Sequence, residues 1–196
     1  MKMPAPASAL APVAARHLDR NRGFTLTELL LSIAISGVLL AIALPSLGSV
    51  MSSQRLNTAS ADFFSALLLA RSEAIKRGAN VTVCKSADGV ACARDGGWEQ
   101  GWLVFADTDE NGLRATTETT ILQAAALDGK VRLTGNLNVS RYITFTAEGS
   151  TQLTSGAFQA GTLTFCRDSE TPAPARQIIL SAAGRPRLHK LTLQTC

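Results

Sequence analysis

Apolar and polar positions divide the chain into three regimes. From Phe24 to Leu44 the run FTLTELLLSIAISGVLLAIAL is apolar on every side, and its one charge is Glu28. At about 1.5 Å rise per residue a helix of this length spans a hydrocarbon core of roughly 30 Å, which predicts a membrane helix. From Leu56 the residues Leu56, Ala59, Phe63, Leu67, Ala70 and Ala74 recur at helical spacing, and Arg55, Asp62, Arg71, Glu73, Lys76 and Arg77 fall largely between them. That pattern predicts a helix with one apolar face. Pro45 lies between the two stretches, has no amide hydrogen, and predicts a kink or local melting just past the bilayer. Gly78 tolerates the left-handed conformation that ends helices, so one long helix is expected from Phe24 to about Arg77. Beyond it the pattern turns β-like, in VTVC from Val81, GWLVFA from Gly101, ITF from Ile143, TLTFC from Thr162 and QIILS from Gln177. Glycine and asparagine punctuate these runs. A long helix whose outer half packs on an antiparallel sheet is an α+β architecture, and no break in composition marks a second globular domain.

Composition narrows the function classes. In 196 residues, 17% are charged and 46% hydrophobic, which excludes a disordered tail or a coiled coil. Four cysteines and two histidines without CxxC or HxxxH spacing argue against a zinc module, haem or iron–sulfur cluster, and no cofactor is expected. His17 precedes the apolar run and His189 lies in a basic segment, so no Ser/His/Asp constellation forms and an enzyme is not expected. The leader before Gly23 carries Lys2, Arg16, Arg20 and Arg22 against Asp19. Basic flanks stay cytoplasmic, which places everything after residue 45 across the membrane. An ordinary secretory signal would have a shorter apolar run followed by a small-residue cleavage site. Ser32, Ser36, Gly37 and Ala41 would allow close helix approach.

At RGFTLTELL the residues Gly23, Phe24 and Glu28 stand at the spacing of a known processing site, and the segment resembles that of type IV pilins and type II secretion pseudopilins. The resemblance implies that a prepilin peptidase cuts after Gly23 and methylates the new amine of Phe24. It also implies an inner-membrane anchor, a periplasmic body and assembly with other pilins or pseudopilins. A carboxylate inside an apolar helix is costly unless paired, so Glu28 is expected to meet the Phe24 amine of a neighbouring subunit. The organisation expected is a leader over 1–23, a membrane and assembly segment over 24–54, and a periplasmic globular domain over 55–196. The motifs GWEQGWLVFADTDENG, YITFTAEGS and RQIILSAAGRPR further resemble the GspH/FimT family of minor pilins and pseudopilins, which implies the pilin-like fold. Trp98 and Trp102 read as core and turn anchors.

Cys84, Cys92, Cys166 and Cys196 all follow the membrane segment, on the oxidising side. Of the three possible pairings, Cys84–Cys92 closing a short loop and Cys166–Cys196 tying down the chain end is favoured. Asp107, Asp109, Asn111, Gly112 and Glu118 match the D-x-D-x-N-G-x5-E calcium-loop expression. The strand-like GWLVFA before it, the threonines after it and Arg114 at an apolar position favour an acidic turn instead, and no metal is expected.

After Glu170 no acid remains, whereas Arg176, Arg185, Arg187 and Lys190 do. AAGRPRLHK resembles the GRxR motif of transformation-associated members of the family, in a loop between two strands. That resemblance implies capture of double-stranded DNA at the cell surface. Alternating guanidinium groups can each meet a phosphate, without reading sequence. The alternatives are a solvated loop, or a type II secretion pseudopilin. The formal charge of +4 is mostly a leader effect, since removing four basic residues and one acid from 19 and 15 leaves 15 against 14.

Overall fold

The computed structural model describes residues 23–128, 130–169 and 171–196, with backbone alone at 42–49. The basic leader residues and His17 lie outside that range. Helix α1 runs Leu26–Arg77. It starts at Leu26 because Thr25 and Glu28 form a capping box. The Thr25 hydroxyl accepts from the Glu28 amide at 3.3 Å, and the Glu28 carboxylate accepts from the Thr25 amide at 3.2 Å and from its hydroxyl at 3.0 Å. Ser32 and Ser36 donate their hydroxyls to carbonyls one turn back, each at 2.7 Å. The backbone stays helical through Pro45, so the local melting expected there is absent. The helix ends at Gly78, whose φ is +61°.

The chain divides into two compact units, one ending at Pro45 and one beginning at Ser46. In the second unit Arg167 donates to the Ser52 hydroxyl. In the first unit Phe24, Leu26, Leu29, Ile33 and Leu40 are exposed. No helix is long and apolar enough to cross a membrane among the described residues, a set without the side chains of 42–44 that complete the apolar run.

In the second unit the strands are β1 Val81–Lys85, β2 Trp102–Ala106, β3 Thr120–Ala124, β4 Arg132–Gly135, β5 Tyr142–Phe145, β6 Thr151–Gln152, β7 Gly161–Cys166, β8 Ala173–Leu180 and β9 Pro186–Leu193. They form two antiparallel sheets, ordered β3-β2-β1-β5-β6 and β4-β7-β8-β9. Phe63 on the helix joins both to one core. Its ring meets Trp102 of the first sheet at 5.0 Å, Phe165 of the second at 6.1 Å and Trp98 at 5.1 Å, all edge-to-face. Such pairs contribute about 0.5–1.5 kcal/mol beyond burial. Both tryptophans are buried in the core, as expected of them. The Trp98 indole N–H donates to the Val139 carbonyl at 2.9 Å. Disulfides join Cys84 to Cys92 and Cys166 to Cys196.

Candidate functional site

The carboxy-terminal basic residues sit on a hairpin, not in a loop. β8 and β9 pair in continuous register from Ala173↔Leu193 to Leu180↔Pro186. Only Ser181 to Arg185 turn, closed by the Gly184 amide on the Ser181 carbonyl at 2.9 Å. Pro186 opens β9, a position where its missing amide is tolerated because β9 is a sheet edge. Gly184 has φ of +68°, and a Cβ there would overlap the Gly149 carbonyl. Both the turn and the close approach therefore require glycine. The Gly149 carbonyl accepts from Arg71 Nε on the helix at 2.9 Å, and the Thr151 amide donates to the Ala182 carbonyl at 3.0 Å. The hairpin tip is thus fixed against the first sheet and the helix.

Strand alternation sorts the basic residues onto different faces. Arg176 is 8% exposed and donates from Nε to the Asn57 side chain at 3.0 Å and from a terminal nitrogen to the Ala175 carbonyl at 2.8 Å. It is a fastener between β8 and the helix and is not available to a ligand, which corrects the expected four-residue set. Lys190 lies opposite Arg176 in the register, on the helix side of the sheet at its edge. Arg187 and His189, opposite Ile179 and Gln177, project from the outer face, and Arg185 stands in the turn. Arg185, Arg187, His189 and Lys190 are exposed, and neither Arg185 nor Arg187 has an ion-pair partner among the described residues. The hairpin therefore brings Arg185 and Arg187 together at one tip and leaves Lys190 and Arg176 on the opposite face of the sheet. PRLHKLTL has its leucines, Leu188, Leu191 and Leu193, on both faces, so no period-two pattern marked this strand in the sequence.

The calcium-like loop joins β2 to β3. Carboxylate oxygens of Asp107, Asp109 and Glu118 lie within 4.8 Å of one another. Those oxygens are already engaged by the chain. Asp107 accepts from the Thr82 hydroxyl at 2.6 Å and from the amides of Asn111 and Gly112 at 3.1 and 3.0 Å. Glu118 accepts from the amides of Thr108 and Ala115 at 2.7 and 2.8 Å, and Asp109 from Asn111. The acids staple a tight turn. Burial raises the Asp107 pKa from its ordinary value, with the neighbouring Glu118 and Asp109 charges adding to it against the hydrogen bonds from Thr82 and Gly112.

An open apolar groove runs beside the helix from Val50 to Leu69, walled by Leu122 and by Ala124 to Leu127. Trp102 forms part of its wall and is 2% exposed, and its indole N–H has no hydrogen-bond partner among the described residues. Sequence periodicity marked the helix face but not this groove, which exists because β3 ends the first sheet.

The profile of the family described as type II transport protein GspH matches residues 59–184, and that of the prokaryotic N-terminal methylation motif matches residues 18–44. Among solved structures, the type IV minor pilin FimU of Pseudomonas aeruginosa strain PAO1 is similar in two crystal forms, each at 18% identity. One has a TM-score of 0.54 over 74% of this chain and 97% of that one, and the other 0.51 over 72% and 99%. The minor pseudopilin EpsH from the type 2 secretion system of Vibrio cholerae is 16% identical, with a TM-score of 0.48 over 69% of this chain and 96% of that one. No curated protein matches significantly.

Proposed function

The chain belongs to the GspH family, and from that premise we propose that it is a minor pilin of a type IV pilus that captures double-stranded DNA on its β8–β9 hairpin. The observation that carries the DNA reading is the hairpin tip, where Arg185 and Arg187 are exposed without ion-pair partners among the described residues and are held by Gly184 against Gly149. A turn backbone held in this way presents the guanidinium groups to phosphates without first losing loop entropy. Contact is with the backbone and independent of sequence, because no Phe, Tyr or Trp stands in β9 for bases to stack on.

Before assembly, prepilin peptidase removes the leader after Gly23 and methylates Phe24. The apolar helix anchors the subunit in the inner membrane, with the second unit in the periplasm, and the subunit later moves into the filament. Glu28 receives the Phe24 amine of a neighbouring subunit. Its capping box with Thr25 leaves the second carboxylate oxygen free for that contact. Partners are other pilins, which cover the exposed apolar helix of the first unit.

The test is a gel shift of the full chain in nonionic detergent with a short duplex of arbitrary sequence. Arg185→Gln with Arg187→Gln is expected to weaken the shift at least about tenfold at physiological salt, and an unchanged affinity would overturn the DNA reading. A second reading, a pseudopilin of a type II secretion system, is favoured by the matched family's description. Deletion of the gene separates them: loss of transformation with secretion intact supports the pilus, and the reverse supports the pseudopilin.

A further inference from the structure

The second sheet carries a feature that the hairpin alone does not use. β4, β7, β8 and β9 contain Arg132, Arg176, Arg187, His189 and Lys190 and no acidic residue, and of these Arg132 is paired with Asp168 beyond β7 at 3.1 Å. One register row crosses all four strands: Thr134↔Thr164, Thr164↔Gln177 and Gln177↔His189. Residues directly opposite share a face. These four lie on the side away from the helix, because their strand neighbours Leu133, Leu163, Phe165 and Ile178 are buried in the core. Arg187 stands on the same face one pleat further along β9. Thr134 and His189 are exposed, and Thr164 and Gln177 are half-buried.

Every member of the row can donate a hydrogen bond outward. Gln177 Nε2 donates to Thr164 Oγ1 at 3.2 Å. That contact fills one lone pair of the threonine and leaves its O–H free, and it leaves the second amide hydrogen of Gln177 free as well. Three strand spacings of about 4.8 Å make the row about 14 Å long. Along the duplex axis each nucleotide advances about 3.4 Å, so a row of this length spans about four base steps. Neutral hydroxyl and amide donors are ordinary partners of phosphate oxygens.

We propose that this outer face is the second part of the DNA-contact surface, in which Thr134, Thr164, Gln177 and His189 hold the phosphodiester backbone that Arg185 and Arg187 attract. The proposal rests on the DNA reading of the hairpin. The arginines supply charge at the tip, and Thr134, Thr164 and Gln177 supply uncharged contacts that fix how the duplex lies across the sheet. The two contributions differ in salt dependence, because only cationic contacts release counterions.

The experiment measures affinity of the full chain in nonionic detergent for a short DNA duplex as a function of salt. Thr164→Val and Gln177→Ala are each expected to weaken binding about threefold to tenfold with the salt slope unchanged. Arg187→Gln is expected to lower the slope by about one. Thr164→Ser keeps the hydroxyl and is expected to bind as the parent does. Thr192→Val, on the opposite face of β9, is expected to change nothing. Matching thermal unfolding of each variant and the parent establishes that the sheet is intact. If the arginine variants lose binding while Thr164→Val and Gln177→Ala bind as the parent does, the face proposal falls and the hairpin reading stands. If the parent binds no DNA, the hairpin reading itself falls and the face proposal with it.

Discussion

At the scale of single residues, the molecule is most constrained where two backbones touch. Gly184 combines a φ of +68° with contact against the Gly149 carbonyl, so Gly184→Ala must shift the hairpin as well as strain its own backbone. A loss of at least about 2 kcal/mol is expected in chemical denaturation, together with weaker DNA binding although no charge is removed. A variant as stable as the parent would show that the tip is not held there. Asp107 gives a second residue-scale prediction, with a sign that follows from its raised pKa. A carboxyl whose folded pKa is raised binds its proton more tightly in the folded chain. Its contribution is therefore full below the unfolded value of about 3.9 and is lost as pH rises through the folded value. Asp107→Asn also places amide hydrogens toward the N–H groups of Asn111 or Gly112, leaving a donor unmatched at a cost of about 1–3 kcal/mol. The stability gap between parent and variant should be wider at pH 4 than at pH 7, and an equal gap at both would refute the assignment. Glu73, Asp88 and Glu148 have lowered pKa values and favour the opposite trend. They are unchanged in the variant, so they cancel in the comparison.

At the scale of elements, legibility followed burial. The helix was readable to the residue at its end because Gly78 is a terminal signal, and to within two residues at its start because the apolar run marked Phe24 whereas the Thr25–Glu28 capping box sets Leu26. Strands β1, β2, β5, β7 and β8 were readable because their apolar residues enter the core. β3, β4, β6 and β9 escaped notice for one shared reason. β3, β6, β4 and β9 are the sheet edges, where one side faces solvent and the apolar pattern thins to sequences such as RLTG or PRLHKLTL. The same blindness misplaced Arg187 in a loop and grouped buried Arg176 with exposed neighbours. Alternation across β8 and β9 separates them once the register is known. Disulfides act on elements too. The Cys166–Cys196 bridge spans 30 residues and the Cys84–Cys92 bridge spans 8. Loop-closure entropy then assigns about 3.5 kcal/mol to the first and about 2.5 kcal/mol to the second. Cys196→Ser is expected to lower the denaturation midpoint more than Cys92→Ser. The reverse order would mean that the last strand is held by its β8 pairing alone.

At the scale of the whole molecule, charge has to be read locally. The sequence carries +4, but without the leader the balance is 15 basic against 14 acidic residues, so no long-range field draws DNA to the chain as a whole. Four basic residues lie in the last two strands and their turn, and counting all four as phosphate contacts would require a salt slope near −3.6. The fold removes Arg176 from that count by burying it against Asn57. It also sets Lys190 on the other side of the sheet from Arg187. Two guanidinium groups remain at the tip. A processed chain that binds through them should therefore show a log–log slope of about −2. A slope near −4 would mean that Arg176 is released or that a further basic patch joins the contact, and either outcome contradicts the register that places these side chains. Leader-bearing precursor carries four more basic residues before Gly23, so its slope should be the steeper of the two. Equal slopes would show that the hairpin dominates even against the leader. Within that weak charge requirement, affinity depends on how many uncharged donors of the sheet reach the backbone, and DNA capture by this molecule is then set more by the geometry of one sheet face than by its net charge.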